Sequence, residues 1–363
     1  MSTAPGSLSR ISRSGFRQGR VPAGTVHRFT NRICRTGPGR IPGVTVSHES
    51  VETESAETRF VWDYGTTDER LRGLYERGKA AQWNAATDID WDAGVGVPDR
   101  GEAQGARSAF GWSEASPVPK ERWGDFQWEF HSWMTSQFLH GEQGALLATS
   151  RLVTMAPDMD TKMFAAGQVT DEARHVEAYA RYCDLLGNSY AVNPSLKRML
   201  DTVVSESRWD IVFLGMQIIV EGLALAAFRL EHTRSFDPVI AQLTRLVARD
   251  EARHVAFGLL TLQEIYGELT SRERADREEF IKESALLMSR RFRLGEVWAR
   301  LDVDVEAGTN FALQDPKMID FRRLMFTKIV TSLAKVGLLT PGVRTHLEDL
   351  ELLRVLPSRV RHA

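Results

Sequence analysis

The hexapeptide Asp-Glu-Ala-Arg-His-Val occurs twice in this chain of 363 residues, at 171–176 and again at 250–255. In each copy a glutamate and a histidine stand three residues apart: Glu172 and His175, Glu251 and His254. Residues at positions i and i+3 lie on the same face of a helix, so each pair can reach one metal ion. The repeat therefore predicts two helices that face each other and share one site.

A further glutamate precedes each copy by the same distance. Glu142 lies thirty residues before Glu172, and Glu221 lies thirty residues before Glu251. Glu221 stands in the most apolar segment of the chain, where a lone ionised carboxylate is costly without a proton, a partner or a metal. The repeat unit is thus a pair of helices with the pattern Glu-x29-Glu-x2-His.

Capping signals place these residues on long helices. Asn or Asp followed by Pro is a favourable helix start, because Pro has no N–H to satisfy in the first turn. Gly after a periodic segment ends a helix. The predicted elements are a short helix from 74 with a turn capped by Asn84 and Asp88, then helices over 158–186, 194–232 with a bend, 238–266 and 271–300. No strand alternation is present in this region, so the expected class is all-α.

Composition divides the chain into four parts. Residues 1–58 are expected to be a disordered tail, or a stretch upstream of the true start, because 1–48 is rich in Ser, Gly and Arg and has no acidic residue. Its composition also resembles an organelle transit peptide. Residues 59–126 are expected to pack on a four-helix bundle formed by 127–268, and 269–363 to add further helices.

Charge and cysteine content exclude several classes of protein. The net charge of −2 gives no reason to expect nucleic acid or an anionic membrane as a partner. Cys34 and Cys183 are the only cysteines, which favours a reducing, cytoplasmic location over a disulfide framework. The apolar run 211–228 contains Gln217 and Glu221, which are expensive in lipid, so we expect a core helix and no membrane span.

The residue types favour a particular metal chemistry. Four carboxylates neutralise two divalent ions, and oxygen-rich ligation with two imidazoles suits iron or manganese better than structural zinc. The remaining hexapeptide residues suit a supporting role. Asp171 and Asp250 could accept hydrogen bonds from the histidine rings, and Arg174 and Arg253 could pair with these aspartates.

With these residues the chain resembles the ferritin-like superfamily, in particular its oxygen-activating branch. That branch includes ribonucleotide reductase small subunits, bacterial multicomponent monooxygenase hydroxylases and arylamine N-oxygenases. The resemblance covers residues 75–265, and the segment GEQGALLATSR around Glu142 is most similar to the hydroxylases. It implies a ferritin-like four-helix bundle with flanking helices and these metal ligands: Glu142, Glu172, His175, Glu221, Glu251 and His254.

The resemblance also implies an activity. We expect a di-iron oxidoreductase that activates dioxygen to hydroxylate or N-oxygenate a small organic substrate, with Mn/Fe and Mn/Mn pairs left open. Electrons would come from a separate reductase or ferredoxin, because the chain has no Gly-rich dinucleotide fingerprint and no cysteine cluster. A homodimer is expected.

The chain departs from each relative at one position. The hydroxylases carry a Thr four residues after the third-helix Glu, where this chain has Leu225. Arylamine N-oxygenases add a ligating His four residues before the last-helix Glu, where this chain has Val247, so six ligands are expected. Tyr179 stands where the reductase subunits carry a radical tyrosine, but the tail tyrosine of those subunits is missing, because no Tyr follows Tyr266. Tyr179 is a candidate redox-active residue or an ordinary packed tyrosine.

Three alternatives remain open from the sequence. One is a ferritin-type protein that handles iron, another is a radical-generating subunit, and the third is a relative that binds no metal. Gly141 and Gly144 are unusual inside a helix, where each costs about 1 kcal/mol relative to Ala. With Ala145 they could leave space for oxygen or substrate, or they could allow close helix packing.

Overall fold

The structure, a computed structural model, describes residues 50–53, 57–95, 111–234 and 237–353. Most of the predicted N-terminal tail therefore lies outside the described residues. The α-helices are α1 (Glu69–Ala80), α2 (Trp123–Met155), α3 (Met159–Leu186), α4 (Pro194–Ser205), α5 (Trp209–Phe213), α6 (Glu221–Arg234), α7 (Pro238–Tyr266), α8 (Ser271–Arg290), α9 (Gly295–Arg300), α10 (Val305–Gln314), α11 (Pro316–Lys335) and α12 (Pro341–Asp349). No strand occurs in the described ranges, and the predicted all-α class is confirmed for them.

Two helix pairs form the centre of the protein. α2 packs along α3, to which it is joined by the short connection 156–158, and α6 packs along α7. The pairs meet where α3 packs on α7. The arrangement is a ferritin-like four-helix bundle, in which each helix presents one face to a common interior.

The helix starts predicted from capping signals are confirmed. The side chains of Asp158, Asn193 and Asp237 each accept hydrogen bonds from backbone N–H groups in the turn that follows them. Gly187 ends α3 in the left-handed conformation, with φ of 61°. These local signals therefore fix where three of the long helices begin and where α3 ends.

The helix predicted over 194–232 with a bend is divided into separate helices, so the prediction of one continuous, bent helix was wrong. α4 ends at Ser205, and Glu206 adopts an extended backbone with φ of −63° and ψ of 135°. The Glu206 carboxylate accepts a hydrogen bond of 2.8 Å from the N–H of Arg208. Such a local side-chain bond competes with the helical hydrogen bonds, and the helix restarts only at α5.

A π-helical turn, Leu214–Val220, joins α5 to α6. α7 approaches this turn closely, because a Cβ added to Gly258 would lie 2.5 Å from Cβ of Gln217. π turns are rare and occur mostly inside helices near functional sites. This one ends directly before Glu221.

The helix predicted from Ser271 towards Arg300 is also shorter than expected. It begins at Ser271 but ends at Arg290, and a 3₁₀ turn, Arg291–Arg293, follows. Leu294 then has a φ of 58°, a left-handed conformation that a right-handed helix cannot continue. The C-terminal helices cover the bundle from outside, with α8 on α4 and α11 on α6.

The segment before the bundle contains a helix and a capped turn, as predicted, although the helix begins at Glu69 instead of Leu74. In the turn, Asn84 Oδ1 accepts from the N–H of Ala86 at 2.8 Å, and Asp88 Oδ2 accepts from the N–H of Asn84 at 3.0 Å. α1 packs on both α3 and α7. The residues that follow α1 therefore lie beside both copies of the hexapeptide.

One helical stretch among the described residues, Trp209–His232, is long and apolar enough to cross a membrane by composition alone. In its most apolar window, 89% of the residues are buried inside the protein. Burial against neighbouring helices accounts for its hydrophobicity, and the segment is a core helix, as the sequence predicted.

Candidate metal centre

Six buried side chains from four helices converge in the centre of the bundle. They are Glu142 from α2, Glu172 and His175 from α3, Glu221 from α6, and Glu251 and His254 from α7. Each side chain belongs to a residue that is at most 5% exposed. The structure therefore brings together all six residues that the sequence pattern singled out.

The six residues form two groups of four whose ligand atoms lie within 4.8 Å of one another: Glu142, Glu172, His175 and Glu251 in the first, and Glu172, Glu221, Glu251 and His254 in the second. Glu172 and Glu251 belong to both groups. Each group therefore combines one terminal glutamate, one histidine and the two shared glutamates.

In the first group the carboxylates surround one ring nitrogen. His175 Nδ1 lies 3.1 Å from Glu142 Oε2, 3.3 Å from Glu172 Oε2 and 3.3 Å from Glu251 Oε1. A single N–H can donate well to one of these oxygens only. Three carboxylate oxygens around one imidazole nitrogen are a donor set that fits a cation.

The second group mirrors the first. His254 Nδ1 lies 3.2 Å from Glu172 Oε1, 3.2 Å from Glu251 Oε2 and 3.9 Å from Glu221 Oε2. Each shared glutamate thus presents one carboxylate oxygen to the first histidine and the other oxygen to the second. The two groups are connected through these carboxylates.

The hexapeptide aspartates bind the opposite ring nitrogens, and they do so across the two repeats. His175 Nε2 lies 3.1 Å from Asp250 Oδ2, and His254 Nε2 lies 3.3 Å from Asp171 Oδ2. A carboxylate that accepts from Nε2–H leaves the lone pair of Nδ1 directed at the glutamates. Each repeat therefore orients the histidine of the other repeat.

The hexapeptide arginines pair with both aspartates, as predicted. Arg174 Nη2 lies 2.5 Å from Asp171 Oδ1 and 3.0 Å from Asp250 Oδ2, and Arg253 Nη2 donates to Asp250 Oδ1. Burial alone would raise the pKa of Asp250, but the hydrogen bond and charge of His175, followed by the charge of Arg253, hold it well below its usual value. Both aspartates are thereby held as acceptors for the rings.

Two residues after α1 complete this network, and the sequence analysis missed them. Gln82 Nε2 donates to Asp171 Oδ1 at 2.9 Å, and Trp83 Nε1 donates to Asp250 Oδ2 at 2.7 Å. The Trp83 ring also covers Arg174, whose Cζ lies 4.8 Å from the ring centroid. Only the packing of α1 on α3 and α7 brings them here.

A pair of buried glutamines on the other side of the site was also missed. Gln168 and Gln217 exchange hydrogen bonds between their amide groups, at 3.0 Å and 3.4 Å. Gln168 Nε2 also lies 2.8 Å from Glu172 Oε1 and 3.2 Å from Glu221 Oε1. Gln217 stands on the π-helical turn, so the turn is coupled to two of the clustered carboxylates.

Burial and charge act against each other on the pKa values at the centre. Burial raises the pKa of Glu172 to about 8, and repulsion from Glu251 adds to this rise. Burial acts in the same direction on Glu251, but attraction to both histidines outweighs it and holds the pKa at about 2. Burial lowers the pKa of His254, but the same two carboxylates raise it to about 10. Protons thus balance the charge of the cluster, and metal ions would displace them.

The donor set fits a pair of divalent cations. Glu172 Oε2 and Glu251 Oε1 are buried and have no hydrogen-bond donor among the described residues. Buried acceptors without a donor are costly, and coordination to a metal ion would satisfy them. Four carboxylates and two imidazoles match iron or manganese in both charge and ligand type.

Tyr179, the candidate redox residue, packs beside the cluster without a polar partner. Its ring centroid lies 5.5 Å from that of Phe138 and 5.8 Å from that of Phe228. Its hydroxyl has no hydrogen-bond partner among the described residues, and burial followed by the charge of Glu142 raises its pKa well above the usual value. A redox role for Tyr179 stays a prediction.

An apolar pocket lies between α2 and α6 beside Glu142 and Glu221, with about 440 Å³ of space between its side chains including its open mouth. Gly141 lines this pocket, and a Cβ added there would meet nothing within 4 Å. A Cβ added to Gly144, in contrast, would lie 2.4 Å from a side-chain carbon of Leu200. Of the two explanations for these glycines, open space holds at Gly141 and close packing holds at Gly144.

The two positions at which the chain departs from its relatives are buried and apolar. Val247 lies one helical turn before Glu251, and Leu225 lies one turn after Glu221; they are 0% and 1% exposed. Neither side chain can ligate a metal. Neither residue belongs to the groups of candidate ligands among the described residues.

One family model and several solved structures are similar to this chain. The family model described as P-aminobenzoate N-oxygenase AurF matches residues 65–337. None of the curated proteins matches the chain. Among solved structures, a glycine-to-leucine mutant of an R2-like ligand-binding oxidase with a Mn/Fe cofactor is 17% identical, with a TM-score of 0.47 over 77% of this chain and 100% of that one. A tyrosine-to-phenylalanine mutant of such an oxidase is 18% identical, with a TM-score of 0.43 over 79% of this chain and 94% of that one.

Proposed function

The chain belongs to the P-aminobenzoate N-oxygenase AurF family, and from this membership we infer which residues carry its chemistry. Membership makes it a di-iron oxidoreductase that uses dioxygen to oxidise a small molecule. We propose that the ligands of the metal pair are Glu142, Glu172, His175, Glu221, Glu251 and His254. The observation that carries this proposal is the convergence of two Glu-x29-Glu-x2-His units on one buried cluster.

The two groups of four residues, each with one histidine, suggest how the six ligands would divide between the two ions. Glu142 and His175 would hold one ion, and Glu221 and His254 the other. Glu172 and Glu251 would bridge the ions, because each presents one oxygen to either histidine. Asp250 and Asp171 would keep each ring in the tautomer that leaves Nδ1 free to coordinate.

A bound metal pair supplies the dioxygen chemistry, and the surrounding residues determine what that chemistry reaches. The carboxylates and imidazoles would hold two divalent ions with little net charge, because four carboxylates balance their charge. Apolar side chains such as Phe138 and Phe228 keep bulk water from the pocket beside Glu142 and Glu221. Insertion of one oxygen atom into a substrate converts the other into water and consumes two electrons and two protons.

We propose that the substrate binds in this pocket, with its reacting atom near Glu142 and Glu221. An arylamine such as p-aminobenzoate is the first candidate, because it is the substrate named for the family. Val247 stands where arylamine N-oxygenases carry a seventh ligand, a histidine. We therefore propose that N-oxygenation takes place here at a metal pair with six protein ligands. Hydroxylation of a ring or alkyl carbon is the second candidate reaction.

The two electrons are proposed to come from a separate reductase or ferredoxin. The chain has two cysteines, too few for an iron–sulfur cluster of its own, and Cys183 is buried as a free thiol. Two cysteines also support a cytoplasmic location, where thiols stay reduced. A homodimer is proposed as the commonest assembly of soluble oligomers.

A single-turnover experiment tests the function without the unknown electron donor. The protein is loaded with Fe(II) under anaerobic conditions, its metal content is measured, and it is mixed with ¹⁸O-labelled dioxygen and p-aminobenzoate. Two Fe(II) ions per chain carry the two electrons that one turnover needs. We expect about two ions per chain and one labelled oxygen atom in the product, detected by mass spectrometry.

Variants separate a catalytic site from adventitious iron. Glu172→Ala and His254→Ala should lose both metal binding and product, whereas Glu177→Ala, an exposed carboxylate on the same helix, should retain both. Undiminished metal content in the first two variants would refute the ligand assignment. Full metal loading without any labelled product, with a tyrosyl radical signal in electron paramagnetic resonance, would instead support a radical-generating subunit.

A further inference from the structure

Arg291 is a buried cation without an anion. It is 5% exposed, its Nε has no hydrogen-bond partner, and no carboxylate of the described residues lies within salt-bridge distance of it. The other buried arginines of the described ranges all have acceptors. Arg277 pairs with Asp210, Arg322 donates to the carbonyl groups of Ala312 and Leu313, and Arg174 pairs with both hexapeptide aspartates.

The nearest candidate partner of Arg291 is already engaged. Glu296 is the carboxylate whose charge acts on Arg291, but its Oε1 accepts a hydrogen bond of 2.7 Å from Asn193 Nδ2. Burial lowers the pKa of Arg291 to about 10, so the guanidinium is still protonated near neutral pH. The protein thus keeps a buried charge that has no direct ion pair among the described residues, which is costly.

Arg291 lines the same pocket as Glu142 and Glu221. The 3₁₀ turn after α8 places it there, over the Trp133 ring, whose centroid lies 5.9 Å from its Cζ. Met134, the residue that follows Trp133 on α2, also lines the pocket, as does Glu142. Eight residues of helix separate Met134 and Glu142, which is a rise of about 12 Å. One mostly apolar pocket therefore brings together a cation and two of the clustered carboxylates.

We propose that Arg291 binds an anionic group of the substrate, so that a carboxylate at one end of a small apolar molecule fixes the other end beside the metal pair. This inference rests on the proposed function, in which the pocket receives the substrate. Arginine is suited to this role because its planar guanidinium can donate two parallel hydrogen bonds to a carboxylate. Arg291 would act as a positioning residue that selects anionic substrates.

The pocket must adjust to admit such a molecule. The cavity within it is about 30 Å³, which is room for on the order of one water molecule. Met134 and Met216 line it, and methionine side chains change shape at low cost because they are unbranched and flexible. We therefore expect binding of a ring-sized carboxylate to displace these side chains without a change in the helices.

Binding of a charged and a neutral ligand of the same shape tests the proposal. Fe(II)-loaded protein is titrated without oxygen, by calorimetry, with 4-aminobenzoate and with 4-aminobenzamide. Wild type should prefer the carboxylate by about 10- to 100-fold, the range for a hydrogen bond between charged groups. Arg291→Gln and Arg291→Met should lose that preference, while Arg293→Gln, an exposed arginine of the same turn, should keep it.

The thermal stability of the Arg291→Met variant provides a second test, which distinguishes an arginine that binds substrate from one that only stabilises the fold. Because the charge has no partner, Arg291→Met should leave the melting temperature of the ligand-free protein unchanged or raise it. If Arg291→Met keeps the preference for the carboxylate, the proposal is overturned whatever the stability of the variant. The carboxylate would then bind elsewhere, for example to the metal ions.

The result is independent of catalysis. The titration involves no oxygen, so a preference that depends on Arg291 would support the anion site even if no oxidation product were ever found. A protein that oxidises 4-aminobenzoate and 4-aminobenzamide equally well in single turnover would support the proposed function and refute the role of Arg291.

Discussion

At the scale of single residues, the two ring nitrogens of each histidine have different tasks. Nδ1 of His175 faces the glutamates, and its Nε2 meets Asp250 from the other repeat. The same division holds for His254 and Asp171. Because each aspartate contacts the histidine of the other repeat, replacing an aspartate in one repeat should change metal binding at the histidine of the other.

Asp250→Asn should lower the affinity for the ion bound by His175 more than the affinity for the ion bound by His254. The amide no longer attracts the ring N–H as strongly, and loss of such a supporting acceptor typically costs about 10- to 100-fold in metal affinity. A stepwise Co(II) titration followed by absorbance measures the two affinities. Asp171→Asn should affect the other step, and the crossed arrangement would be wrong if both variants weakened the same ion.

The glutamine pair gives a second test at this scale. Gln168 donates to Glu172 and Glu221, and Gln217 holds its amide in place. Gln217→Leu should remove that support and lower the affinity for the metal pair by about tenfold. The measurement is competition with a chelator of known affinity. Gln263→Leu, an exposed glutamine of α7, is the control, and equal affinity in both variants would exclude a positioning role for Gln217.

The sequence was sufficient to find some of these residues and not others. The six clustered side chains stand at helical spacing inside a repeat, so their convergence follows from a local pattern that occurs twice. Gln82, Trp83 and Arg291 have no such pattern. Their positions depend on the packing of α1 on α3 and α7 and on the contact of the turn after α8 with Trp133 of α2, which no short stretch of sequence encodes.

At the scale of elements, capping chemistry was predictive and helix interruptions were not. Asn193 and Asp237 mark helix starts through their own side chains. The break at Glu206 contains no Pro or Gly, the residues that usually reveal one. The π-helical turn was not predicted either, and its close contact with α7 joins Gly258 and Gln217, which are far apart in the sequence.

Gly141 and Gly144 of α2 offer a matched pair of substitutions. Gly144→Ala should destabilise the protein by about 1–3 kcal/mol, because its Cβ would overlap Leu200 and force the side chain to move. Gly141→Ala should be neutral or stabilise by up to about 1 kcal/mol, since its Cβ meets open space and Ala favours the helix. Urea unfolding measures both values. Equal effects would contradict this assignment of close packing to one glycine and open space to the other.

At the scale of the whole molecule, the cluster ties the stability of the bundle to its metal content. Four helices each place at least one carboxylate in an interior where charge is expensive. Without cations, raised pKa values such as that of Glu172 let protons take their place. The buried carboxylates thus lower the stability of the metal-free bundle but form a site that can accept two ions. Functional sites often lower the stability of a protein in this way.

Loading with Fe(II) or Mn(II) should therefore raise the melting temperature, and removal of the metal with a chelator should reverse the change. Each ion at a concentration of one hundred times its Kd adds about 2.7 kcal/mol, so two ions should raise the melting temperature by at least about 5 °C. Scanning calorimetry without oxygen measures the shift. Glu172→Ala removes a buried carboxylate, so its metal-free form should be at least as stable as wild type, yet it should respond little to metal. A full response in that variant would mean that the ions bind elsewhere.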